Sequence, residues 1–412
     1  MDYEVLIVGG RAAGSSLALL LARQGHRVLV VDRDEFPSDT LSTHLMNPTA
    51  VGRLARLGVL ADVEAAGFRR ITRMRTWIDD CCFEGPAGPG GASFSLAPRR
   101  AVLDSVLIDH AVTAGAEFEQ RTRAENLIVE DGRVAGAVLQ RVHGDRRSVR
   151  AEVVVGADGR QSRVAQWVGA EKYLEVPALR PGYYGYFQGV EPLPEPAVEM
   201  WFGGDRIGFL FPMRRDEDCL ALEVQPEEFE SFRRNPQEAF EERFRALPGM
   251  ERRTRGATLG GRILGTRGID NFFRKPYGPG WALTGDAGYL KDPSTGTGLG
   301  DALAQSQMLA GSLHAWFAGA DWDQTMSAFQ QRRDAAMLPG YQATLAHTRM
   351  RDQGPEDVAW IKAVMCNPGL VRAFGHAMPG LLQHAFPDGA KAQVTAVARM
   401  FGAPEQEPEA VS

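Results

Sequence analysis

Three short stretches, far apart in the chain, combine glycine with an acid or a base in a way that ordinary packing does not require. The first is Gly9-Gly10-Arg11-Ala12-Ala13-Gly14, set between an apolar run from Glu4 to Val8 and an Ala/Leu-rich stretch from Ser15 to Gln24. A strand that breaks at a glycine turn and restarts as a helix gathers free amides and the positive end of the helix dipole at one point, where a phosphate is stabilised. A dinucleotide turn uses one glycine for the bend, a second for close approach of the pyrophosphate and a third for helix–strand contact. Those places hold Gly9, Arg11 and Gly14, so a charged side chain stands where the middle glycine would be. Arg11 can supply charge to a diphosphate or extend into solvent. Asp32 closes the next apolar strand, Arg27 to Asp32, where an acceptor for a ribose hydroxyl belongs, and Arg33 follows it.

The second stretch, Gly156-Ala157-Asp158-Gly159-Arg160-Gln161-Ser162-Arg163, also ends an apolar strand, Val153 to Val155. The third is Gly285-Asp286-Ala-Gly-Tyr-Leu-Lys291-Asp292-Pro293-Ser-Thr-Gly296-Thr-Gly298-Leu299-Gly-Asp301. It follows the strand Trp281 to Thr284, and its turn from Gly296 to Gly298 exposes amides at the start of a helix. Each stretch read alone is compatible with a plain strand-to-turn transition. Together they define a candidate site. No Ser/His/Asp order, zinc-ligand pair or phosphate-cradling lysine motif occurs that would argue for independent side-chain catalysis.

The three motifs together resemble the FAD-dependent oxidoreductases of the para-hydroxybenzoate hydroxylase type, which include aromatic hydroxylases, flavin halogenases and geranylgeranyl reductase-like enzymes. The resemblance covers roughly residues 1 to 340. It implies an α/β fold: a Rossmann-type FAD-binding domain with a parallel sheet and a β-meander, a β-rich substrate domain and a C-terminal helical region. It also implies that Gly9, Arg11, Ala12, Ala13, Gly14, Asp32 and Arg33 hold the ADP half of FAD, with Asp158 near the pyrophosphate. Gly285, Asp286, Gly296, Gly298 and Leu299 would receive the ribityl chain and the flavin ring, and Arg100 matches an arginine that relatives direct toward the flavin chain. His44, in the segment that relatives pass beside the isoalloxazine, and Asp292 and Pro293, just before the flavin loop, are the implied catalytic positions. For His44 a structural role, and for Asp292 a turn-forming one, are the alternatives. The later arginine of the family's second motif is replaced by Ala165. NADH or NADPH is the implied electron donor, used directly or through a separate flavin reductase.

Three reactions share this scaffold. In hydroxylation or epoxidation, reduced flavin takes up dioxygen as a C4a-hydroperoxide and the protein excludes water and orients the acceptor. This is the expected activity, on a hydrophobic, aromatic small molecule walled by Tyr186, Trp201, Phe209 and Phe211. Reduction of a conjugated double bond is the alternative. Halogenating members of the resembled family use an active-site lysine and a tryptophan-rich motif, whereas here residues 1 to 150 contain no lysine and the strand Gly208 to Met213 no tryptophan, which disfavours halogenation. A flavoprotein that binds a ligand without turnover is the remaining class.

The elements that must position these residues follow from periodicity. Strand, turn, helix and strand close a βαβ unit by Asp32, and helices are expected over Pro48 to Leu60, Arg100 to Ala114 and Asp301 to Phe317. Asn126 to Val155 reads as three strands turned at Asp131-Gly132 and Gly144-Asp145. A Gly/Pro-rich break spans Gly85 to Gly91. Aromatic-rich strands at Tyr183 to Phe187, Met200 to Phe202 and Phe209 to Phe211 mark a change of texture, and the pattern from Trp322 onward is helical with interruptions at Pro339-Gly340 and Pro379-Gly380. The expected division is a discontinuous FAD-binding domain (1–75, 98–175 and 270–340), a β-rich substrate domain (76–97 and 176–269), C-terminal helices (341–402) and a disordered tail (403–412).

Bulk properties bound the rest. A net charge of -6 gives no basic field for nucleic acid or an acidic membrane surface. Cys81, Cys82, Cys219 and Cys366 have no disulfide or zinc spacing, and no apolar run is long enough to span a membrane, so a cytoplasmic enzyme without a metal is expected.

Overall fold

The computed structural model describes residues 1–349 apart from 79–80, 88–92, 143 and 204. In chain order it contains β1 (Tyr3–Val8), α1 (Ala12–Arg23), β2 (Val28–Val31), α2 (Pro48–Arg56), α3 (Leu60–Ala65), β3 (Arg73–Ile78), β4 (Cys81–Pro86) and α4 (Arg100–Thr113). Then come β5 (Glu117–Glu119), β6 (Thr122–Glu130), β7 (Arg133–Arg141), β8 (Arg146–Gly156), α5 (Arg163–Trp167), β9 (Lys172–Val176), β10 (Gly182–Gln188), β11 (Ala197–Gly203), β12 (Arg206–Arg214) and β13 (Glu217–Val224). The remainder is α6 (Phe229–Arg234), α7 (Pro236–Arg245), α8 (Met250–Arg253), β14 (Thr258–Leu259), β15 (Leu264–Thr266), β16 (Asn271–Arg274), β17 (Tyr277–Gly278), β18 (Trp281–Leu283), β19 (Tyr289–Leu290), α9 (Gly298–Phe317) and α10 (Trp322–Arg349).

The first sheet runs β17-β18-β8-β1-β2-β5, with β6 and β7 joined to the edge of β8 as an antiparallel meander. Its centre is parallel: β1 pairs with β2 and β8, and β8 with β18. The sequence explains why these strands lie inside, since Val28–Val31 and Val5–Val8 are buried on both faces and need cover on both. Helices α1, α4 and α9 cover one face, around Leu17, Leu21, Leu103, Leu107, Leu303 and Leu309. Because parallel strands end together, the turns after β1, β8 and β18 emerge along one edge, and this brings the three glycine-bearing motifs together.

The second sheet runs β14-β10-β13-β12-β11-β3-β4, with β15 on β10. One of its faces turns toward the first unit through Tyr184, Tyr186, Val198, Ile207, Phe209, Phe211 and Cys219. The other is covered by α6, α7 and α8 through Trp201, Leu210, Phe232, Phe240 and Phe244. The fold is thus the expected α/β type. Helices α6 to α8 fall inside the stretch expected to be β-rich, because Phe232, Phe240 and Phe244 are the apolar stripe that closes the outer face. Strand β4 continues through Gly85-Pro86, where a break was expected. The expected interruption at Pro339-Gly340 is also absent: α10 runs through both residues and across position 341, tied down by Thr344 and Thr348 against the turn Pro293–Thr295. The expected helices beyond Arg349, the break at Pro379-Gly380 and the tail lie outside the described residues.

Candidate functional site

The first turn is built on close backbone approach. Gly9 adopts φ +106°, and a Cβ there would fall 2.4 Å from the carbonyl oxygen of Ala157; a Cβ at Gly14 would fall 1.8 Å from the oxygen of Gly9. Only glycine fits either place. Asp32 is 7% exposed and fixes the turn: Gly10 N donates to its Oδ2 at 2.7 Å and Asp34 N to its Oδ1 at 2.8 Å. Burial pushes this carboxyl above its ordinary value, opposed by those two amides.

Arg11 takes the non-solvated alternative without facing outward along the turn. Its guanidinium donates to the oxygen and Oγ of Ser38, to Asp34 at 3.0 Å and to Asp104 at 3.0 Å. Asp104 is fully buried and also receives Arg100 at 3.1 and 3.0 Å, so two of the expected cofactor arginines are joined by one carboxylate that the sequence reading did not single out. Arg33, by contrast, extends into solvent with 78% of its side chain exposed, 3.8 Å from Asp34.

Asp158 contributes through its main chain. Its carboxylate is spent on its own turn, accepting from Ser162 Oγ, Arg163 N and Val164 N at the start of α5. Its amide nitrogen lies 3.0 Å from the position of a Cβ on Gly9, so the second turn backs directly onto the first.

The third motif closes the arrangement. A Cβ on Gly285, which has φ +60°, would sit 2.7 Å from that of Ala13. Ser306 Oγ of α9 donates to the oxygen of Ala13 at 2.7 Å. Turns near residues 9, 158 and 286 therefore meet. Asp286 is open to solvent, yet protein surrounds it: desolvation pushes its carboxyl up, with Arg100 the largest opposing charge. An accessible carboxyl in so dry a setting marks a deep cleft rather than outer surface. At the same place α9 begins without a side-chain cap, and a Cβ on Gly298 would meet nothing within 4 Å; α1 begins without a side-chain cap as well. Side-chain caps occur at α2 and α5, where Asn47 and Ser162 accept from the amides of Ala50 and Ala165, while α3, α4 and α6 to α8 also begin without one. Two uncapped helix starts, an acceptor at Asp32, and Asp286 with Arg100 in a cleft fit a long molecule with a diphosphate at one end and an electron-rich ring at the other. That is the shape and charge of FAD. Gly296, in the left-handed region at φ +63°, packs on Leu45, and Leu299 is buried beneath the helix start.

The residues expected beside the ring form two buried polar groups on the inward face of the second sheet. Register places Tyr186, Cys219 and Phe211 in one row, Tyr184, Ala221, Phe209 and Met200 in the next, and Gly182, Glu223, Ile207 and Phe202 in a third. His44 meets the first row. It is fully buried in the left-handed region at φ +62°, and its Nε2 shares a 2.7 Å hydrogen bond with Tyr186 OH while Nδ1 lies 3.9 Å from Cys219 Sγ. Burial and then Arg100 hold the imidazole down to about 3, so it is neutral. Burial pushes the Tyr186 phenol far up, and the Arg99 guanidinium stacks 3.5 Å over its ring. Phe209 and Phe211 stack at 5.7 Å.

Trp201 corrects the expected substrate wall. It lies on the opposite face, 2% exposed, donating to Pro248 O and packed on Phe244. Alternation along β11 turns Met200 and Phe202 inward and Trp201 toward the helices.

Asp292 starts a single helical turn, Pro293–Thr295, by accepting from Ser294 N at 3.0 Å, and its own amide donates to Asn271 Oδ1. Ser294 and Thr295 bond to Thr348 and Thr344 of α10. Asp292 faces Glu223 of the third row. The sequence reading missed Glu223, whose signal was an acid at the apolar end of β13, alternating with Cys219 and Ala221. Among the described residues no group of three or more His, Cys, Asp or Glu is placed to hold a metal, and no helix is long and apolar enough to cross a membrane.

Comparison with known proteins agrees with this geometry. Residues 2–338 match the FAD binding domain family. The chain is 25% identical over 317 residues to the digeranylgeranylglycerophospholipid reductase of Methanosarcina mazei, covering 73% of this chain and 72% of that one. It shares its fold with the flavin-dependent brominase Bmp2 (TM-score 0.79, 20% identity, covering 97% of this chain and 100% of the other). The same holds for PqsL of Pseudomonas aeruginosa, a probable FAD-dependent monooxygenase (TM-score 0.70, 20% identity, covering 96% and 99%). The chain belongs to the FAD binding domain family and is an FAD-dependent oxidoreductase.

Proposed function

We propose that this enzyme is a monooxygenase that hydroxylates or epoxidises a flat, hydrophobic small molecule held between the flavin loop and the inward face of the second sheet. When bound, FAD supplies two electrons and the means of activating dioxygen. Gly9, Gly14, Asp32, Gly285, Asp286, Arg100 and the start of α9 would hold it, and Pro293 would border the ring. NADH or NADPH, directly or through a flavin reductase, would deliver the electrons.

The observation that carries this reading is the composition of the inward face. Phe209, Phe211, Met200, Phe202 and Ala221 form an apolar floor, and Met200, Phe202 and Ala221 are only partly buried although they point inward. An apolar floor excludes water and binds a flat ligand by area. The neutral His44–Tyr186 pair at one end suits orientation of a hydroxyl or carbonyl without placing a charge next to the ring. Halogenation finds little support in the lysines. Lys172 pairs with Glu175, and Lys291, buried, pairs with Asp301 at 2.6 Å.

Reduction of a conjugated double bond is the second reading, favoured by the likeness to the archaeal reductase. Anaerobic photoreduction followed by an air pulse in the presence of candidate aromatic and polyprenyl compounds separates the two. Substrate-dependent oxygen incorporation supports the monooxygenase, and saturation of the substrate without oxygen overturns it in favour of the reductase.

A further inference from the structure

Glu223 is 4% exposed and its Oε2 is buried without a hydrogen-bond donor among the described residues. The group facing that carboxyl is a second one, Asp292, 1% exposed. Arg180, 4% exposed, is the cation near both, and its guanidinium is otherwise engaged by the oxygens of Thr348 and Asp205. Asp205 and Glu227 lie behind Arg180, Ser294 and Thr348 beside Asp292. One guanidinium balances one carboxylate. Two ionised carboxylates in so dry a place would leave an uncompensated charge and an oxygen facing another oxygen, which is strongly unfavourable.

We propose that Glu223 and Asp292 hold one proton between them, and that this pair is the internal proton source for the reaction on the inward face. The protonated Glu223 donates to Asp292, which satisfies the orphaned oxygen. On turnover the pair passes one proton to the reacting substrate or its oxygen as a proton from solvent replaces it, so the pair keeps one proton and one negative charge beside Arg180. Oxygenation and double-bond reduction each consume a proton along with the electrons, so the assignment holds for either reaction and rests on the flavin-enzyme reading in its second half only.

The other groups on this face are poor donors. His44 carries no proton to give as an imidazolium, Tyr184 is pushed up to about 12, and the Tyr186 phenol and Cys219 thiol are pushed higher still, all by burial first. Glu223 is lifted well above the ordinary carboxylate range by burial and then by Asp292, so it holds the proton of the pair.

Two measurements test this. Infrared spectroscopy of the flavin-free protein at neutral pH, taken as the difference between wild type and Glu223→Gln, is expected to show the carbonyl band of a protonated carboxyl that shifts in D2O; absence of that band in the wild-type protein overturns the shared proton whatever the cofactor. In the flavin-loaded enzyme, the turnover rate of Glu223→Gln is expected to fall about a hundredfold with unchanged KM and to lose the decline toward high pH. Wild-type turnover and an unchanged pH profile in that variant overturn the role in catalysis. Absence of flavin from the wild-type protein overturns the flavin reading and leaves the infrared result standing. If Glu223→Gln does not fold, the titration of the band in the wild-type protein and in Asp292→Asn decides.

Discussion

The hydroxyl of Tyr186 and Nε2 of His44 lie 2.7 Å apart, joining the second sheet to the segment that precedes α2. Both groups are buried, and each is the other's principal partner. Replacing Tyr186 by Phe leaves the imidazole nitrogen buried with nothing to bond, at a cost of about 1–3 kcal/mol. Urea unfolding of Tyr186→Phe is expected to show a loss in that range, and a stability equal to wild type would mean that the bond contributes nothing.

The same histidine makes a pH prediction. Its folded value, about 3, lies below its unfolded value of 6.5, so the unfolded chain takes up the proton first as pH falls. Stability from this residue is complete above pH 6.5 and is lost progressively toward pH 3. His44→Gln is expected to be less stable than wild type at pH 8 and to show a shallower decline between pH 6.5 and pH 4. Parallel stability curves for the two proteins would show that His44 is not the group responsible.

Glycines separate packing from cofactor contact. Gly14→Ala drives a methyl into the oxygen of Gly9 and is expected to give insoluble or unfolded protein. Gly298→Ala meets open space and gains helix propensity of about 1 kcal/mol, so its thermal midpoint without flavin is expected to hold or rise while FAD affinity falls at least tenfold. Undiminished affinity would place the ring away from the start of α9.

Asp104 holds Arg11 and Arg100 in the fully buried interior. Asp104→Asn leaves two guanidinium groups short of one charge, and a loss of about 3–5 kcal/mol is expected in chemical denaturation. Arg33→Ala, at a solvated position, is expected to change stability and flavin content by less than about 0.5 kcal/mol. Equal effects of the two would contradict the placement of charge at the first turn.

Much of this architecture is legible from short-range signals. The turn after β1, the meander at Asp131-Gly132 and the start of α9 are set by glycine and by the apolar period within a few residues, and these lie where the sequence places them. What was not legible depends on partners distant in the chain. Alternation in β11 separates Trp201 from Met200 and Phe202, but which side faces the helices depends on α6 to α8, read as part of a β region. Pro339 breaks most helices; here Thr344 and Thr348 bond to the flavin loop and the packing outweighs the missing amide. Asp104 and Glu223 look like ordinary acids in a helix and a strand, and only the fold brings Arg11 and Asp292 to them.

The central claim is that turns near residues 9, 158 and 286 converge on one FAD molecule, and Asp286 tests it most directly because its carboxyl is open to the cleft. Equilibrium titration of flavin-free wild type and Asp286→Ala with FAD, followed by flavin fluorescence, is the measurement. Loss of a hydrogen bond to an ionised group, about 1.5–3 kcal/mol, predicts binding weaker by about tenfold to a hundredfold in the variant, with an unchanged unfolding midpoint in the absence of flavin. Equal affinity in the two proteins, or no binding by the wild type, would contradict the account.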